Sequence, residues 1–188
     1  MNIRTNCEVW ISHHPHAESL NKKIMEEIKE LEFINSYKTN VHAQMTEWDT
    51  FSPILNQLRE WVRSTIFNKF IIKDPDLRIH IQNLWVARYN KGDYTWRHNH
   101  KSSWMSYVYF VKCPKGSSPL IFNNSFIPSF GKEIKAEEGK LLIFPGILDH
   151  WVPKNKCDNR VVIAGNANSY FENNKKVKYQ CNNLYYSE

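Results

Sequence analysis

Between His16 and Ile34 the apolar residues Leu20, Ile24, Ile28 and Leu31 recur at helical spacing, with Lys22, Lys23, Glu26, Glu27 and Lys29 between them. Such a segment has one apolar face, so it is expected to lie as a helix against a core. A second helix is expected from Ser52 to Lys69. Ser52 offers a hydroxyl N-cap, Pro53 fills the first helical position, and Ile54, Leu58, Trp61, Val62, Thr65 and Ile66 share one side. From Arg78 onwards the period falls to two. Ile79, Ile81, Asn83, Trp85, Ala87 and Tyr89 are expected on one face of a long half-buried strand, with Arg78, His80, Gln82 and Arg88 on the other. The turn Asn90-Lys91-Gly92-Asp93 ends it. Further strands are expected at 103–112, 120–122, 133–136, 140–144, 150–153 and 160–168, with turns at 114–116, 128–131, 138–139 and 145–146. Many short strands with regular turns, following two helices, predict a mainly β (α+β) sandwich or barrel with the N-terminal helices packed outside it.

Length and composition narrow this picture. A chain of 188 residues fits one domain, read as an N-terminal helical support (1–75), a β core (76–170) and a C-terminal tail (171–188). Aromatic residues make up 14% of the chain, which suits a β core or a pocket lined by flat rings. The formal charge of +6 invites a nucleic-acid partner. The basic residues are scattered, however, and the one notable cluster, Lys175-Lys176-Val177-Lys178, reads as a solvated tail, so no nucleic-acid function is expected. The four cysteines show neither CxxC pairing nor framework spacing, which points to a reducing cytoplasm and no disulfide. No apolar leader core and no run approaching the roughly 20 apolar residues of a membrane span is present, so a cytoplasmic, unprocessed protein without membrane contact is expected.

The candidate chemistry lies in the β half. His98-Asn99-His100 places two imidazoles one residue apart, and on an extended strand they would point the same way and could share a metal. His150, 50 residues on, begins another extended run and could complete a facial set of three ligands, leaving positions open for substrate and oxygen. Arg160 follows His150 by 10 residues, in phase with Val162, Ala164 and Asn166. A guanidinium at strand depth needs a carboxylate or phosphate, which a bound organic acid would supply.

The ordered set Tyr89, Gly92, His98-Asn99-His100, Ser106 to Phe110, Leu142 to Pro145, His150-Trp151-Val152, Arg160 and Asn166 resembles the 2-oxoglutarate- and Fe(II)-dependent oxygenases of bacteria and phages, relatives of the prolyl hydroxylases. The resemblance covers roughly Ile79 to Asn168. It implies a double-stranded β-helix (a jelly roll, cupin-like) with Fe(II) at the barrel mouth on His98, His100 and His150, and Arg160 gripping the distal carboxylate of 2-oxoglutarate. It implies oxidative decarboxylation of 2-oxoglutarate to succinate, with oxygen, coupled to hydroxylation of an unknown substrate, a small molecule or a protein side chain. Tyr89 and Asn166 are further candidates for binding the co-substrate, and Asn83, Trp85 and Trp104 for lining a substrate pocket.

The chain departs from that family at two positions. His100 stands where aspartate or glutamate is usual, although some branches carry His-x-His. A neutral imidazole there leaves the metal its full formal charge of +2 and should favour an anionic co-substrate. Asp149 neighbours His150 and should face the other way. Phe110 stands where relatives often carry a tyrosine, which makes Tyr89 the better hydroxyl. The rival readings are a cupin-like metal protein or three-histidine dioxygenase that does not use 2-oxoglutarate. Oligomeric state is not legible.

Overall fold

The structure is a computed structural model and describes residues 8–35, 39–70, 76–124 and 127–171. In chain order the elements are β1 (Trp10–His13), α1 (Ala17–Glu27), β2 (Ile34–Asn35), β3 (Val41–His42), β4 (Gln44–Met45), α2 (Pro53–Phe70), β5 (Leu77–Tyr89), β6 (Tyr94–His98), β7 (Met105–Lys112), β8 (Leu120–Asn124), β9 (Ile127–Ile134), β10 (Lys140–Pro145), β11 (Asp149–Val152) and β12 (Arg160–Phe171). They form two sheets, one of seven strands in the order β1-β10-β7-β12-β5-β4-β2 and one of five in the order β3-β6-β11-β8-β9. The strand pairings are antiparallel throughout the described ladders.

Both faces of the large sheet are buried, which explains the near-continuous apolar runs of β7, β10 and the first half of β12. On one face Tyr107, Tyr109, Leu141, Ile143, Val161 and Ile163 pack with Leu20, Ile24 and Ile28 of the first helical segment and with Leu55, Leu58, Val62 and Ile66 of α2. On the other, Val108, Phe110, Leu142, Phe144 and Val162 pack with Leu120, Phe122, Ile134 and Val152 of the small sheet. The helices therefore cover the outside of the large sheet, and the second core lies between the sheets.

Several elements differ from the pattern read in the sequence. The first helix stops at Glu27, short of Ile34, because Ile34 and Asn35 instead pair with Met45 and Gln44 at the sheet edge. The second begins as expected, with Ser52 Oγ accepting from the Leu55 N–H at 3.2 Å. In β5 the expected single face breaks in two. Asn166 pairs with Asn83 but Ala167 pairs with Ile81, so Gln82 is an extra residue on β5, a β-bulge that reverses the alternation. Ile79 and Ile81 consequently face the helices with Leu84 and Val86, whereas Trp85, Ala87 and Tyr89 face the other sheet. The segment Pro128–Gly131, read as a turn, lies within β9. Short strands β1 to β4 were not signalled by period, since two to four residues are too few to show one. The basic cluster Lys175–Lys178 lies outside the described residues. Among the described residues no helix is long and apolar enough to cross a membrane.

Candidate metal centre

His98 ends β6 and sits directly opposite His150 on β11. The next pair is Val152 with Thr95, so β6 carries one residue more than β11 over this stretch. That bulge turns both Thr95 and His98 inward, although three residues apart on a regular strand they would face opposite ways. His100 lies beyond the strand, in a turn, and not on the extended segment that its spacing suggested. The turn is pinned: His100 N–H donates to Gly146 O at 2.7 Å, Gly146 N–H to Trp104 O at 3.0 Å, and Ser103 N–H to His100 O at 2.9 Å. Only glycine permits this approach, since a Cβ at 146 would collide with the carbonyl oxygens of Ser103 and His100.

The three rings converge, with centroids 4.3 Å apart for His98 and His150, 5.0 Å for His98 and His100, and 5.3 Å for His100 and His150. Their ligand nitrogens lie within 4.8 Å of one another, a spread that small ring rotations close around an ion about 2.1 Å from each nitrogen. Two of the rings have a defined tautomer. His98 Nδ1 lies 2.8 Å from Trp96 O and His150 Nδ1 lies 3.0 Å from Leu148 O. A carbonyl oxygen only accepts, so each Nδ1 carries the hydrogen and each Nε2 presents a lone pair to the site. Burial, with mutual repulsion among the rings, pushes the pKa of His100 down to about 4 and that of His150 to about 3, and burial also lowers that of His98. All three are therefore neutral, ligand-competent imidazoles at neutral pH.

Asp149 is not a fourth member. Its carboxylate turns outward, accepting from Arg97 Nε at 3.0 Å and Nη2 at 2.8 Å, and from Asn99 Nδ2 at 2.6 Å. It thereby fixes the residues flanking His98 from behind the site.

Below the histidines, between the sheets, is a cavity, partly open to solvent, whose walls include Trp85, Tyr89, Thr95, Ser106 and Arg160. Arg160 is only 1% exposed, and its Nε and Nη1 have no hydrogen-bond partner. Its guanidinium lies over the ring of Tyr89 at 4.6 Å and that of Phe110 at 5.6 Å. Burial lowers its pKa and raises that of Tyr89, whose hydroxyl is bonded to Thr95 Oγ1 at 2.7 Å. A buried guanidinium with unsatisfied donors is costly unless an anion occupies the space in front of it. The donor chemistry of the site thus fits a divalent ion together with a carboxylate-bearing ligand.

The remaining candidates fall in different places. Trp85 lines the cavity, 6.2 Å from His100 between ring centroids. Asn166 is buried one step away, accepting from Ser106 Oγ at 2.8 Å and donating through its backbone N–H and Nδ2 to Asn83 Oδ1 at 2.9 and 3.1 Å. Asn83 and Asn166 thus reach the cavity wall through Ser106. Trp104 packs against the helix-side core, away from the cavity; it stands before β7 begins at Met105, so the alternation that turns Ser106 and Val108 inward does not reach it. The sequence reading passed over Thr95 and gave Ser106 no role at the site; both are small polar residues whose inward direction depends on strand phase. It also passed over Trp48, which is 50% exposed and meets Trp85 edge to face at 4.7 Å beside a groove that runs out from His98 and His100.

Comparison with known proteins follows the same lines. Residues 83–132 match the family model described as "Putative 2OG-Fe(II) oxygenase". Among solved structures, a viral collagen prolyl hydroxylase from Paramecium Bursaria Chlorella virus-1, in complex with 2OG, superposes with a TM-score of 0.62 at 12% identity, covering 85% of this chain and 94% of that one. The fold is that of the 2-oxoglutarate/Fe(II) oxygenases. A Pseudomonas putida prolyl-4-hydroxylase gives a TM-score of 0.63 at 14% identity over 84% of this chain and 91% of its own. HygX from Streptomyces hygroscopicus, with nickel and 2-oxoglutarate bound, shares the oxygenase fold with a TM-score of 0.65 at 10% identity over 85% and 82%. No curated protein sequence matches the chain.

Proposed function

We propose that the protein is a 2-oxoglutarate- and Fe(II)-dependent dioxygenase that hydroxylates a substrate held at the mouth of a double-stranded β-helix. The observation that carries this reading is Arg160, a guanidinium with two unpartnered donors, Nε and Nη1, buried in the cavity that the three histidines close. His98, His100 and His150 would hold the iron, the Nε2 lone pairs of His98 and His150 being aimed at it by the Nδ1–H bonds of these rings to the carbonyls of Trp96 and Leu148. Arg160 would bind the distal carboxylate of 2-oxoglutarate through its free Nε and Nη1. Tyr89 supports that guanidinium from below with its ring, and Asn166 acts on the cavity through Ser106. When bound, the iron and the co-substrate supply the oxidising chemistry. The chain's own part is to position both, to keep three imidazoles neutral and to wall the cavity with aromatic and aliphatic side chains.

We read the chain as one domain, with 1–75 supporting a core at 76–170 and a tail at 171–188. The free thiols of Cys113 and Cys157 support a reducing cytoplasm. The test is anaerobic titration of Fe(II) and then 2-oxoglutarate, followed by succinate formation in air. Arg160→Ala is expected to keep the metal and lose 2-oxoglutarate by at least about a hundredfold in Kd, the few kcal/mol of a charge-assisted bidentate contact. A wild type that binds metal but not 2-oxoglutarate would instead be a cupin-like metal protein or three-histidine dioxygenase.

A further inference from the structure

We infer that the substrate of this site is an anion, presenting a carboxylate or phosphate group at the groove above His98 and His100. The inference rests on the proposed function and follows from counting charges where the side chains lie.

Among the described residues lining the cavity and its groove, Arg160 is the only one with an ionised side chain, and none is an acid. An imidazole that holds a metal through one ring nitrogen is uncharged, so the three histidines would add nothing to the balance. Asp149, the nearest acid, is already engaged by Arg97 and Asn99 and faces away. Tyr89 stays a neutral phenol, since burial raises its pKa. The two positive charges of the metal and the one of Arg160 therefore meet only the two negative charges of 2-oxoglutarate. One positive charge is left over.

In a site with a carboxylate at position 100 that remainder would be zero. Here it sits among Trp85, Phe144, Val108 and Leu120, where an uncompensated charge is expensive and an incoming anion is favoured. The groove provides the way in. It opens from His98 and His100 between Asn99, residues 39–41 and Trp48, and no acidic side chain lines it among the described residues. Lys101 is exposed just beyond His100, and Arg97, next to His98 in the chain, is balanced by Asp149 at 2.8 Å. On the Trp48 side, Glu47 is exposed and Asp49 is paired with Arg59 at 2.7 Å. The cationic remainder is thus at the metal end, and a substrate acid docking there would both neutralise it and bring a neighbouring C–H close to the iron.

The experiment uses the full chain with Co(II) in place of Fe(II), loaded with 2-oxoglutarate without oxygen, and follows the visible absorption of Co(II). Acetate, methyl phosphate and acetamide are titrated at constant ionic strength. Acetate or methyl phosphate is expected to perturb the spectrum with a Kd at least tenfold below that of acetamide, and the tighter of the two names the acid group. In His100→Asp the preference is expected to fall to threefold or less. Equal responses to all three probes in the wild type, or an undiminished preference in a metal-loaded His100→Asp, would overturn the inference while leaving the oxygenase reading intact. Should His100→Asp fail to hold Co(II), the comparison of anions with acetamide in the wild type decides alone. Failure of Co(II) or 2-oxoglutarate to bind in the first step would overturn the proposed function itself.

Discussion

Arg160 illustrates how a residue suited to a ligand burdens the protein without it. Its free Nε and Nη1 are buried, and the rings of Tyr89 and Phe110 offset only part of the lost hydration. Arg160→Met is therefore expected to stabilise the ligand-free protein by about 1–3 kcal/mol and to abolish the rise in Tm that 2-oxoglutarate gives the metal-loaded wild type. Thermal unfolding with and without the acid checks both. His150 makes a pH-dependent counterpart. The unfolded chain protonates this histidine near pH 6.5, whereas the folded, metal-free site holds its pKa at about 3. The unfolded state thus binds more protons between these values, so stability is full above about pH 6.5 and falls progressively as the pH drops towards 3. In urea titrations from pH 7 to pH 4, the metal-free wild type should lose stability relative to His150→Gln. At this scale the sequence was most legible: His98, His100, His150 and Arg160 are rare types in a telling order, and all four line one cavity. Thr95 and Ser106 escaped because a lone hydroxyl residue on a strand carries no signal beyond its direction.

Direction is set one level up, by the strands, and there the sequence was a poorer guide. Period-two alternation locates a strand but does not reveal an inserted residue. The bulge at Gln82 reversed the faces of β5, and the one between Thr95 and His98 brought His98 inward, where a regular strand would have turned it outward. The interior strands β7, β10 and β12 of the large sheet were found because both their faces are apolar, whereas β6, half exposed, was not among the expected strands and β2, β3 and β4 were missed because they are two residues long. The turn carrying His100 is equally dependent on its neighbour. Gly146→Ala would force the 100–103 turn away from β10, and such overpacking is expected to cost about 1–3 kcal/mol. It should also weaken metal affinity, because His100 moves with the turn. Denaturant unfolding and Co(II) titration of the same variant measure the two effects. Asp149→Asn probes the outer support: it breaks the ion pair to Arg97 without changing size, and a tenfold to hundredfold loss of metal affinity is expected, read by competition with a chromogenic chelator.

The molecule as a whole is layered, with helices on one face of the large sheet and the small sheet on the other. Its mainly β character and outer helices were readable from the change of period along the chain. The pairing of sheets was not, since neighbours in space such as β6 and β11 are far apart in sequence. That pairing also predicts how a metal would be felt at a distance. His98 and His150 are direct cross-strand partners, so an ion held by both is a reversible cross-link closing the stretch of β7 to β10, which passes from the large sheet to the small and back. Hydrogen exchange in β6, β8 and β11 should slow on metal addition, with α2 and its contacts on β5 little changed; equal slowing throughout would argue against a local clamp. Such a cross-link would join the protein's lifetime to the supply of iron. A cell short of the metal would present a chain whose small sheet opens more often to proteases, and would remove the protein and recover its amino acids when its site stood empty.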